Sequence, residues 1–236
     1  MTANILTLLV VTFANPAIAA DTSWSNPELL VTAADIKKNI DKKNWAVVDC
    51  RSLESYLKGH IKGAISLGRR CKKALRDPTS RVFRDITKYE DLLGKVGISN
   101  DTHVVFYYGD IKTITDATVG FWIMEYLGHD KVHVLNGGLT EWRNAGNRLD
   151  TKPVRRSPAK FKAKVVSSRY ATTAEILKIA KGQASSSQLI DSRTKNEFKG
   201  KDIRAIRGGH VPNVKLNISH LDTLRQKKDL KTGKAV

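Results

Sequence analysis

A pattern of residues that occurs twice along the 236-residue chain constrains the fold more than any other feature. The first copy reads Asp-Cys-Arg at residues 49–51 and Gly-His-Ile at residues 59–61. The second copy reads Asp-Ser-Arg at residues 191–193 and Gly-His-Val at residues 209–211. A similar helical lead-in precedes each copy. A repeat at this separation is too long to be one solenoid unit, so it predicts two copies of one domain.

Apolar runs alternate with stretches of helical periodicity throughout the first copy. Continuous apolar runs are typical of strands that are covered on both faces, and they lie at residues 45–48, 64–67, 103–108 and 132–135. Helices are expected at residues 33–40, where Thr32 is the predicted cap, and at 53–58, 87–97, 116–127 and around Trp142. Strands and helices in this order predict an α/β fold whose parallel sheet is wrapped by helices.

Composition divides the chain further. Residues 151–170 contain Pro153, Pro158, several serines and many basic residues, which is the composition of an interdomain linker. The sequence therefore predicts a signal peptide at 1–20, a first domain at 21–150, a linker at 151–170 and a second domain at 171–236.

The N-terminus favours export. The first 20 residues carry no charged side chain, residues 6–13 are apolar, and a small-x-small pattern at 17–19 precedes Asp21. This pattern is typical of a secretory signal peptide, and the alternative is a buried N-terminal segment. No stretch is long and apolar enough to cross a bilayer, so we expect a periplasmic or secreted protein without a membrane span.

The chain is strongly basic, with 41 Lys and Arg against 23 Asp and Glu. A formal charge of +18 attracts anions, which include both small anionic substrates and nucleic acids. The basic clusters of residues 151–170 lack interleaved aromatic residues and any nucleic-acid-binding motif. A solvated basic surface is therefore favoured, and no nucleic-acid partner is expected.

Cys50 and Cys71 are the two cysteines of the sequence. Two are too few for a disulfide scaffold, although they could pair in an exported chain. Cys50, at a strand end, is interpreted as a small buried hydrophobic residue. The basic neighbours of Cys71 would make it a reactive thiol, but a functional role is the less favoured interpretation. No Cys/His cluster has zinc spacing, so no metal is expected.

Together these motifs resemble the rhodanese (sulfurtransferase) family in its tandem, two-domain form. The first domain carries Asp-x-Arg, the Tyr-x-x-Gly-His-Ile-x-Gly-Ala signature at 56–64 and the Gly-Gly-Leu-x-x-Trp close at 137–142. The second carries Asp-Ser-Arg and Arg-Gly-Gly-His-Val-Pro at 207–212. Lys62 stands where the family usually has Pro, and residues 213–214 replace its usual Gly-Ala. The resemblance covers residues 28–236 and implies two rhodanese-like domains, each a parallel sheet flanked by helices.

The resemblance implies chemistry at a cysteine. Family members take sulfane sulfur from thiosulfate or 3-mercaptopyruvate, hold it as a cysteine persulfide and pass it to cyanide or a thiol, without a cofactor. The nucleophile must be a thiolate, so its surroundings should be positive. A loop of backbone N–H groups that leads into a helix N-terminus meets this need and also binds the anionic donor. In the family this loop follows the central strand and begins with Cys.

The corresponding loop of the first domain contains no cysteine. It reads Tyr-Tyr-Gly-Asp-Ile-Lys-Thr at residues 107–113, and the Asp110 carboxylate would repel an anionic donor. Projecting the spacing of the first copy from Asp191 places the second loop beyond Val236. The sequence thus predicts an inactive first domain, only the N-terminal part of a second one, and no catalytic residue in this chain. The alternatives are a non-catalytic rhodanese-like interaction module and, less favoured, a nucleic-acid-binding protein.

Two arginines are candidate substrate-binding residues. Arg193 follows a strand whose C-terminal end would line a ligand crevice, although a structural ion pair is the favoured interpretation. Arg207 is a candidate cation at the edge of the same pocket. Glu197 stands where some family members carry a substrate-binding Arg, so that role is not transferred to this position.

The remaining repeated residues are assigned to the fold. Asp49 and Asp191 are interpreted as buried, ion-paired or turn-forming carboxylates rather than loop-orienting groups. His60 and His210 are interpreted as hydrogen-bonded structural histidines, because the half that lacks a nucleophile keeps one as well.

Overall fold

The structure is a computed structural model that describes residues 26–67, 71–75, 85–184 and 187–224. The predicted signal peptide at residues 1–20 and most of the basic stretch at 69–84 lie outside these residues. The helices are α1 (Ala33–Asn39), α2 (Leu53–Lys58), α3 (Cys71–Ala74), α4 (Ile86–Lys95), α5 (Ile114–Tyr126), α6 (Gly138–Asn144), α7 (Thr173–Ala180) and α8 (Lys195–Phe198). None of the described helices is long and apolar enough to span a membrane.

The strands are β1 (Leu30–Val31), β2 (Trp45–Asp49), β3 (His60–Ile61), β4 (Ile65–Ser66), β5 (His103–Tyr107), β6 (Val132–Leu135), β7 (Leu149–Asp150), β8 (Ile190–Asp191) and β9 (Leu216–Asn217). Within the described residues, a five-stranded sheet has the order β1-β6-β5-β2-β4, and every neighbouring pair in it is parallel. The α/β fold class with a parallel sheet is therefore confirmed. Adjacent strands β3 and β7 form a separate antiparallel pair.

Helices cover both faces of this sheet. Alternate residues of β5 point to opposite sides, since Val105 and Tyr107 pack with α1 and α6 while Val104 and Phe106 pack with α3, α4 and α5. All four are fully buried. This two-sided burial explains why the strand is a continuous apolar run rather than an alternating one.

Each copy of the repeat begins with a capped helix. The Thr32 hydroxyl accepts a hydrogen bond from the Asp35 amide, and the Asp35 carboxylate accepts one from the Thr32 amide, which is a capping box at the start of α1. Thr172 and Glu175 form the same box at the start of α7. The predicted cap at Thr32 is confirmed, and two orphan amides at each helix start are satisfied by sequence-local side chains.

Cys50 and Cys71 form a disulfide that is fully buried. It ties the end of β2 to α3. Cys50 is buried, as its interpretation as a small hydrophobic residue predicted, but it is half of a disulfide, so the alternative of pairing is the correct one. The less favoured possibility of a reactive Cys71 thiol was wrong, because its sulfur is bonded to that of Cys50. The spacing of two cysteines in sequence does not reveal that their Cα atoms approach to 4.8 Å.

The segment predicted as a linker is fastened along the first domain. Arg156 donates hydrogen bonds to the carbonyls of Lys43 (2.6 Å) and Trp45 (2.7 Å). The Lys164 amide donates to the Leu127 carbonyl at 2.9 Å, and Phe161 is 3% exposed in the core. Residues 151–166 thus form an extended strap, and a 3-10 helix at Ser167–Arg169 follows.

The second copy repeats the first one locally. Strand β8 pairs with β9 in parallel, with Asp191 opposite Asn217, as β2 pairs with β4 with Asp49 opposite Ser66. Asn213 takes the place of Gly63, and both have the left-handed backbone, with φ of 66° and 80°. The Asn213 side chain also donates to the Ala180 carbonyl at the end of α7 (2.6 Å). The departure from Gly is accommodated because Asn tolerates this conformation better than most residues.

Candidate functional site

The Asp-x-Arg motif of the first copy forms a buried ion pair at the carboxyl end of β2. The Arg51 guanidinium contacts both oxygens of Asp49, with Nη2 at 2.6 Å from Oδ2 and Nε at 3.0 Å from Oδ1. Its Nη2 also donates to the Gly59 carbonyl at 2.6 Å. Asp49 is fully buried and 11% of the Arg51 side chain is exposed. Burial disfavours the Arg51 charge, but its hydrogen bond and attraction to Asp49 outweigh burial and raise its pKa.

Tyr107, the last residue of β5, completes this cluster. Its hydroxyl donates to the Asp49 carboxylate and accepts a hydrogen bond from the Ile61 amide (3.3 Å). The Arg51 guanidinium lies 5.7 Å from the Tyr107 ring centroid. Burial, and then the neighbouring Asp49 charge, raise the pKa of Tyr107 well above its ordinary value. The Tyr107 hydroxyl therefore stays neutral and donates its hydrogen bond to Asp49, which holds the carboxyl end of β2 in place.

The second copy has the same ion pair. Arg193 Nη2 lies 2.6 Å from Asp191 Oδ2, and it donates to the Gly209 carbonyl at 2.8 Å. The hydrogen bonds from Arg193 hold the pKa of Asp191 below its ordinary value. Arg193 is thus engaged with its own loop, as the favoured interpretation of a structural ion pair predicted. Its role in binding a substrate stays a prediction.

Arg207 lies in the loop before Gly208 and is exposed. Within the described part of the chain it makes no ion pair. Its guanidinium is therefore more available to an anion than that of Arg193. Its assignment to a pocket edge stays a prediction.

The histidines of the repeat are held by backbone carbonyls. His60 is fully buried, its ring nitrogens contact the carbonyls of Tyr56 (2.9 Å) and Lys152 (3.1 Å), and it stacks on the Tyr56 ring at 3.8 Å. His210 likewise contacts the Phe198 carbonyl and stacks on the Phe198 ring at 3.8 Å. The interpretation of structural histidines is confirmed by these contacts, because the ring nitrogens bond main-chain groups of the fold.

The loop after β5 satisfies its own amides. Asp110 accepts a hydrogen bond from the Lys112 amide (3.0 Å), and Thr113 Oγ1 accepts from the amides of Gly109 and Asp110 (both 3.2 Å). In a loop that binds an anion, such amides face the ligand. Here these amides donate hydrogen bonds to side-chain oxygens of the same loop. The loop of the first domain therefore offers a carboxylate where a sulfur-carrying site needs open donors and a thiolate.

A further ion pair lies at the start of α5, and sequence reasoning did not predict it. Asp116, in the first turn of α5, is 1% exposed, and its Oδ1 lies 2.8 Å from Nζ of Lys72. The Lys72 Nζ also lies 3.4 Å from the Thr115 hydroxyl. Sequence reasoning treated Lys72 only as a charge beside Cys71. An acidic residue in the first turn of a helix was the available signal, since it suits the helix dipole.

Within the described residues no cluster of His, Cys, Asp and Glu could hold a metal ion. The cavities described lie elsewhere, on the second copy and at its junction with the first. A groove of about 270 Å³ lies beside α7, the turn before β8 and the segment that leads into β9. Both apolar and polar residues line it, among them Ile179, Gln188, Leu189, Asn213 and Lys215. A larger one, of about 630 Å³, is lined by Tyr126, Tyr170, Glu175 and Lys178 among others.

Comparison with known proteins points to one family. A model of the rhodanese-like domain matches residues 32–145. The thiosulfate sulfurtransferase of Cricetulus griseus is 32% identical over 162 residues, which are 67% of this chain and 54% of that protein. A putative thiosulfate sulfurtransferase of Mycobacterium leprae is 32% identical over 197 residues, 79% of this chain and 68% of that protein. The chain thus spans about half the length of the first relative and two thirds of the second.

A solved structure has the same fold. SseA from Escherichia coli, described as a 3-mercaptopyruvate sulfotransferase with the rhodanese fold, aligns with a TM-score of 0.72 over 88% of this chain and 79% of that one, at 23% identity. The alignment extends well past the first domain, so it supports the fold of both copies of the repeat.

Proposed function

Because the chain belongs to the rhodanese family, we propose that it is part of a sulfurtransferase. The proposed reaction moves sulfane sulfur from thiosulfate or 3-mercaptopyruvate to cyanide or a thiol through a cysteine persulfide. The proposal depends on one observation. The Asp49–Arg51 and Asp191–Arg193 ion pairs have the same geometry and hold the corresponding loop in each copy of the repeat. Further support comes from the putative thiosulfate sulfurtransferase of Mycobacterium leprae, which matches 79% of the chain.

The balance of the reaction requires a free thiolate. The thiolate attacks the outer sulfur of the donor, forms an S–S bond and releases sulfite or pyruvate, and the acceptor then takes that sulfur and restores the thiolate. Both cysteines of the sequence are in the Cys50–Cys71 disulfide. From the spacing of the repeat, we propose that the carrier cysteine lies beyond residue 236. Neither step has a sulfur carrier in this chain. We therefore propose that this polypeptide alone does not catalyse sulfur transfer.

The positive charge of the chain suits an anionic donor, and Arg207 is the proposed pocket-edge cation because it is exposed and lacks an ion pair in the described region. Arg193 is proposed to support the loop that carries Arg207, through its bond to the Gly209 carbonyl. Donor and acceptor specificity would depend on the loop that bears the carrier cysteine.

A thiocyanate assay tests the proposal. The purified chain, given thiosulfate and cyanide, is expected to form no thiocyanate above the protein-free rate. A version extended by its natural downstream coding sequence is expected to form it, and to lose that activity on alkylation by iodoacetamide. Thiocyanate production by the 236-residue chain itself would contradict the assignment of the carrier, and an inactive extended protein would contradict the proposed function.

A non-catalytic interaction module is the second candidate. The self-satisfied loop at residues 109–113 and the disulfide favour it, since neither offers a reactive group. It predicts that the extended protein also fails to form thiocyanate, so the same assay separates the two candidates.

We also propose that the protein is exported to the periplasm or secreted. Support comes from the apolar, uncharged residues 1–20 and from the buried disulfide, because disulfides persist mainly in oxidising compartments. Mass spectrometry of the exported protein is expected to show an N-terminus at Asp21. An uncleaved chain confined to the cytoplasm would contradict this.

A further inference from the structure

His60 joins the signature at residues 56–64 to the strap of residues 151–166. Its Nε2 atom lies 3.1 Å from the carbonyl oxygen of Lys152, which is 92 residues further along the chain. Its Nδ1 atom lies 2.9 Å from the carbonyl oxygen of Tyr56 in α2. The His60 side chain is fully buried, so these two carbonyls rather than solvent face its ring nitrogens.

Both ring nitrogens of His60 face groups that can only accept a hydrogen bond. A carbonyl oxygen has no proton to donate, so each nitrogen must carry a proton in order to bond it. A neutral imidazole has one N–H group, whereas the protonated ring has two. The two contacts can therefore be made together only by the positively charged ring. In a neutral ring, one nitrogen lone pair would face a carbonyl lone pair in a buried site, which is unfavourable.

The surroundings of His60 suit a positive charge. The Tyr56 ring stacks on the His60 ring with 3.8 Å between centroids, and the face of an aromatic ring attracts cations. Asp150 lies opposite His60 in the β3–β7 pair. The Lys152 amide, then the Thr151 amide and the charge of His60, hold the pKa of Asp150 below its ordinary value. An ionised carboxylate thus lies opposite the ring.

The other charged and titratable groups near His60 have partners of their own or are exposed. Arg51 pairs with Asp49 and donates to the carbonyl of the glycine that precedes His60. The Tyr107 hydroxyl also donates to Asp49, α6 meets β3 through apolar residues, and Lys152 is exposed. Carboxylates, guanidinium groups, ammonium groups and phenols do not ordinarily change charge between about pH 5 and pH 8, whereas histidine does. His60 is therefore the group that couples this contact to pH.

The second copy of the repeat indicates which contact survives the loss of a proton. His210 Nδ1 lies 2.8 Å from the Phe198 carbonyl, and its ring stacks on the Phe198 ring as His60 stacks on Tyr56. The contact with the preceding helix is thus common to both copies. The contact of His60 with Lys152 is the longer of its two and joins distant parts of the chain. The neutral ring is therefore expected to keep its proton on Nδ1 and to lose the strap.

We propose that His60 is a pH-dependent latch that fastens the strap to the first domain. The ring with two protons donates to both carbonyls and closes the latch. As the pH rises, the Nε2 proton passes to solvent, the hydrogen bond to the Lys152 carbonyl is lost, and the strap loosens at residues 152–154. The strap leads to α7, so the first fastening point of the segment between the two copies depends on pH. This inference does not depend on sulfur transfer.

Nitrogen-15 NMR of the full chain with labelled histidine tests the protonation of the ring. At about pH 5 the two ring nitrogens of His60 are expected to have the similar shifts of a doubly protonated imidazole. As the pH rises to about 9, the Nε2 signal is expected to move to the position of a nitrogen without a proton, while Nδ1 keeps its proton. A neutral ring at about pH 5, or a ring that keeps both protons up to about pH 9, would overturn the proposal.

Hydrogen exchange measures the strap. The Val154 amide donates to the Tyr56 hydroxyl at 2.9 Å and reports on the latched end, whereas the Lys164 amide donates to the Leu127 carbonyl and reports on the far end. The protection of Val154, measured against its intrinsic exchange rate at each pH, is expected to fall roughly tenfold as His60 loses its proton, because a hydrogen bond from a charged group is lost. Protection of Lys164 should not change. A Val154 amide that is indifferent to pH, or an equal loss at both amides, would contradict the latch.

Three variants separate the latch from the other contacts of the strap. His60→Gln has no titrating group, so Val154 should show low protection at every pH. Tyr56→Phe removes the acceptor of the Val154 amide but leaves both carbonyls in place, so the His60 ring should titrate as in the unmodified chain. His210→Gln is the matched control and should leave the protection of Val154 and its pH dependence unchanged. A pH response of Val154 that persists in His60→Gln would overturn the proposal, and if this variant does not fold, the NMR titration of the unmodified chain decides.

Discussion

The two copies of the Asp-x-Arg motif have the same local geometry and different surroundings. Asp49 and Arg51 are 0% and 11% exposed, whereas Asp191 and Arg193 are 10% and 46% exposed. The Arg–Asp hydrogen bonds therefore follow from the shared spacing of two residues. The glycine carbonyl lies 8 residues after Arg51 and 16 after Arg193, so the fold of each loop brings it to the guanidinium. Burial follows from the neighbours, because β5 covers the first pair and nothing in the described residues takes its place over the second.

This difference in burial changes how much the same ion pair contributes to stability. Removing one member of a buried ion pair leaves the other charge without compensation in a poorly solvated site. At an exposed pair, water and salt replace the lost partner. Comparing the two copies therefore tests how burial changes the energetic contribution of an ion pair whose geometry is nearly the same.

The largest expected effect is that of Asp49→Ala. It leaves the Arg51 guanidinium and the Tyr107 hydroxyl without the Asp49 carboxylate as a partner. We therefore expect a loss of about 3–5 kcal/mol in the free energy of unfolding. Urea denaturation followed by tryptophan fluorescence measures it, because Trp45 and Trp142 lie in the first domain core.

Asp191→Ala is the counterpart, and we expect it to cost no more than about 1 kcal/mol, measured as local opening of residues 188–220 by hydrogen exchange. Glu54→Ala breaks an ion pair with Lys58 in which both side chains are at least 75% exposed, and it serves as the control for a surface contact. Equal costs for the two Asp variants would show that burial does not separate the copies.

The disulfide is the second point of difference, since Ser192 stands in the second copy where Cys50 stands in the first. The pair Cys50→Ala and Cys71→Ala removes a crosslink that spans 21 residues, and we expect a loss of about 3 kcal/mol in the stability of the first domain. Reduction of the wild-type chain in urea should lower the denaturation midpoint in parallel. Ser192→Ala is the matched control and should leave both domains within about 0.5 kcal/mol. An unchanged midpoint on reduction would mean that packing alone holds α3 to the sheet.

The smallest expected effect is a loss of local stability in the second copy at acidic pH. The pKa of Asp191 is lowered in the folded state by the hydrogen bonds from Arg193. An unfolded Asp titrates at about pH 3.9, so the contribution is fully present above that pH. It is lost as the pH falls through the folded value, because the unfolded state then binds more protons. The protection of amides at residues 192–220, measured against their intrinsic exchange rate at each pH, should therefore fall below about pH 4, and Asp191→Asn should remove that fall. A local opening that is independent of pH in the wild type would contradict the ion pair.

Much of the first domain followed from the sequence. Continuous apolar runs gave β2, β5 and β6 because a strand buried on both faces carries no alternation. The cap at Thr32 and the helix that ends before Gly97 follow from side chains a few residues apart. The disulfide, the Lys72–Asp116 pair and the fastening of Arg156 did not follow, since each joins residues that only the folded chain brings together.

The sequence by itself determined the repeat, the family resemblance and the local contacts of each motif, because these depend on residues close to one another along the chain. The tertiary structure decided which copy is buried, that the two cysteines are bonded, and that the loop at residues 109–113 satisfies its own amides. It also showed that, within the described residues, β8 pairs with β9. The physical reason is that burial and pairing depend on which strands lie side by side, and strands that pair across the sheet are far apart in sequence.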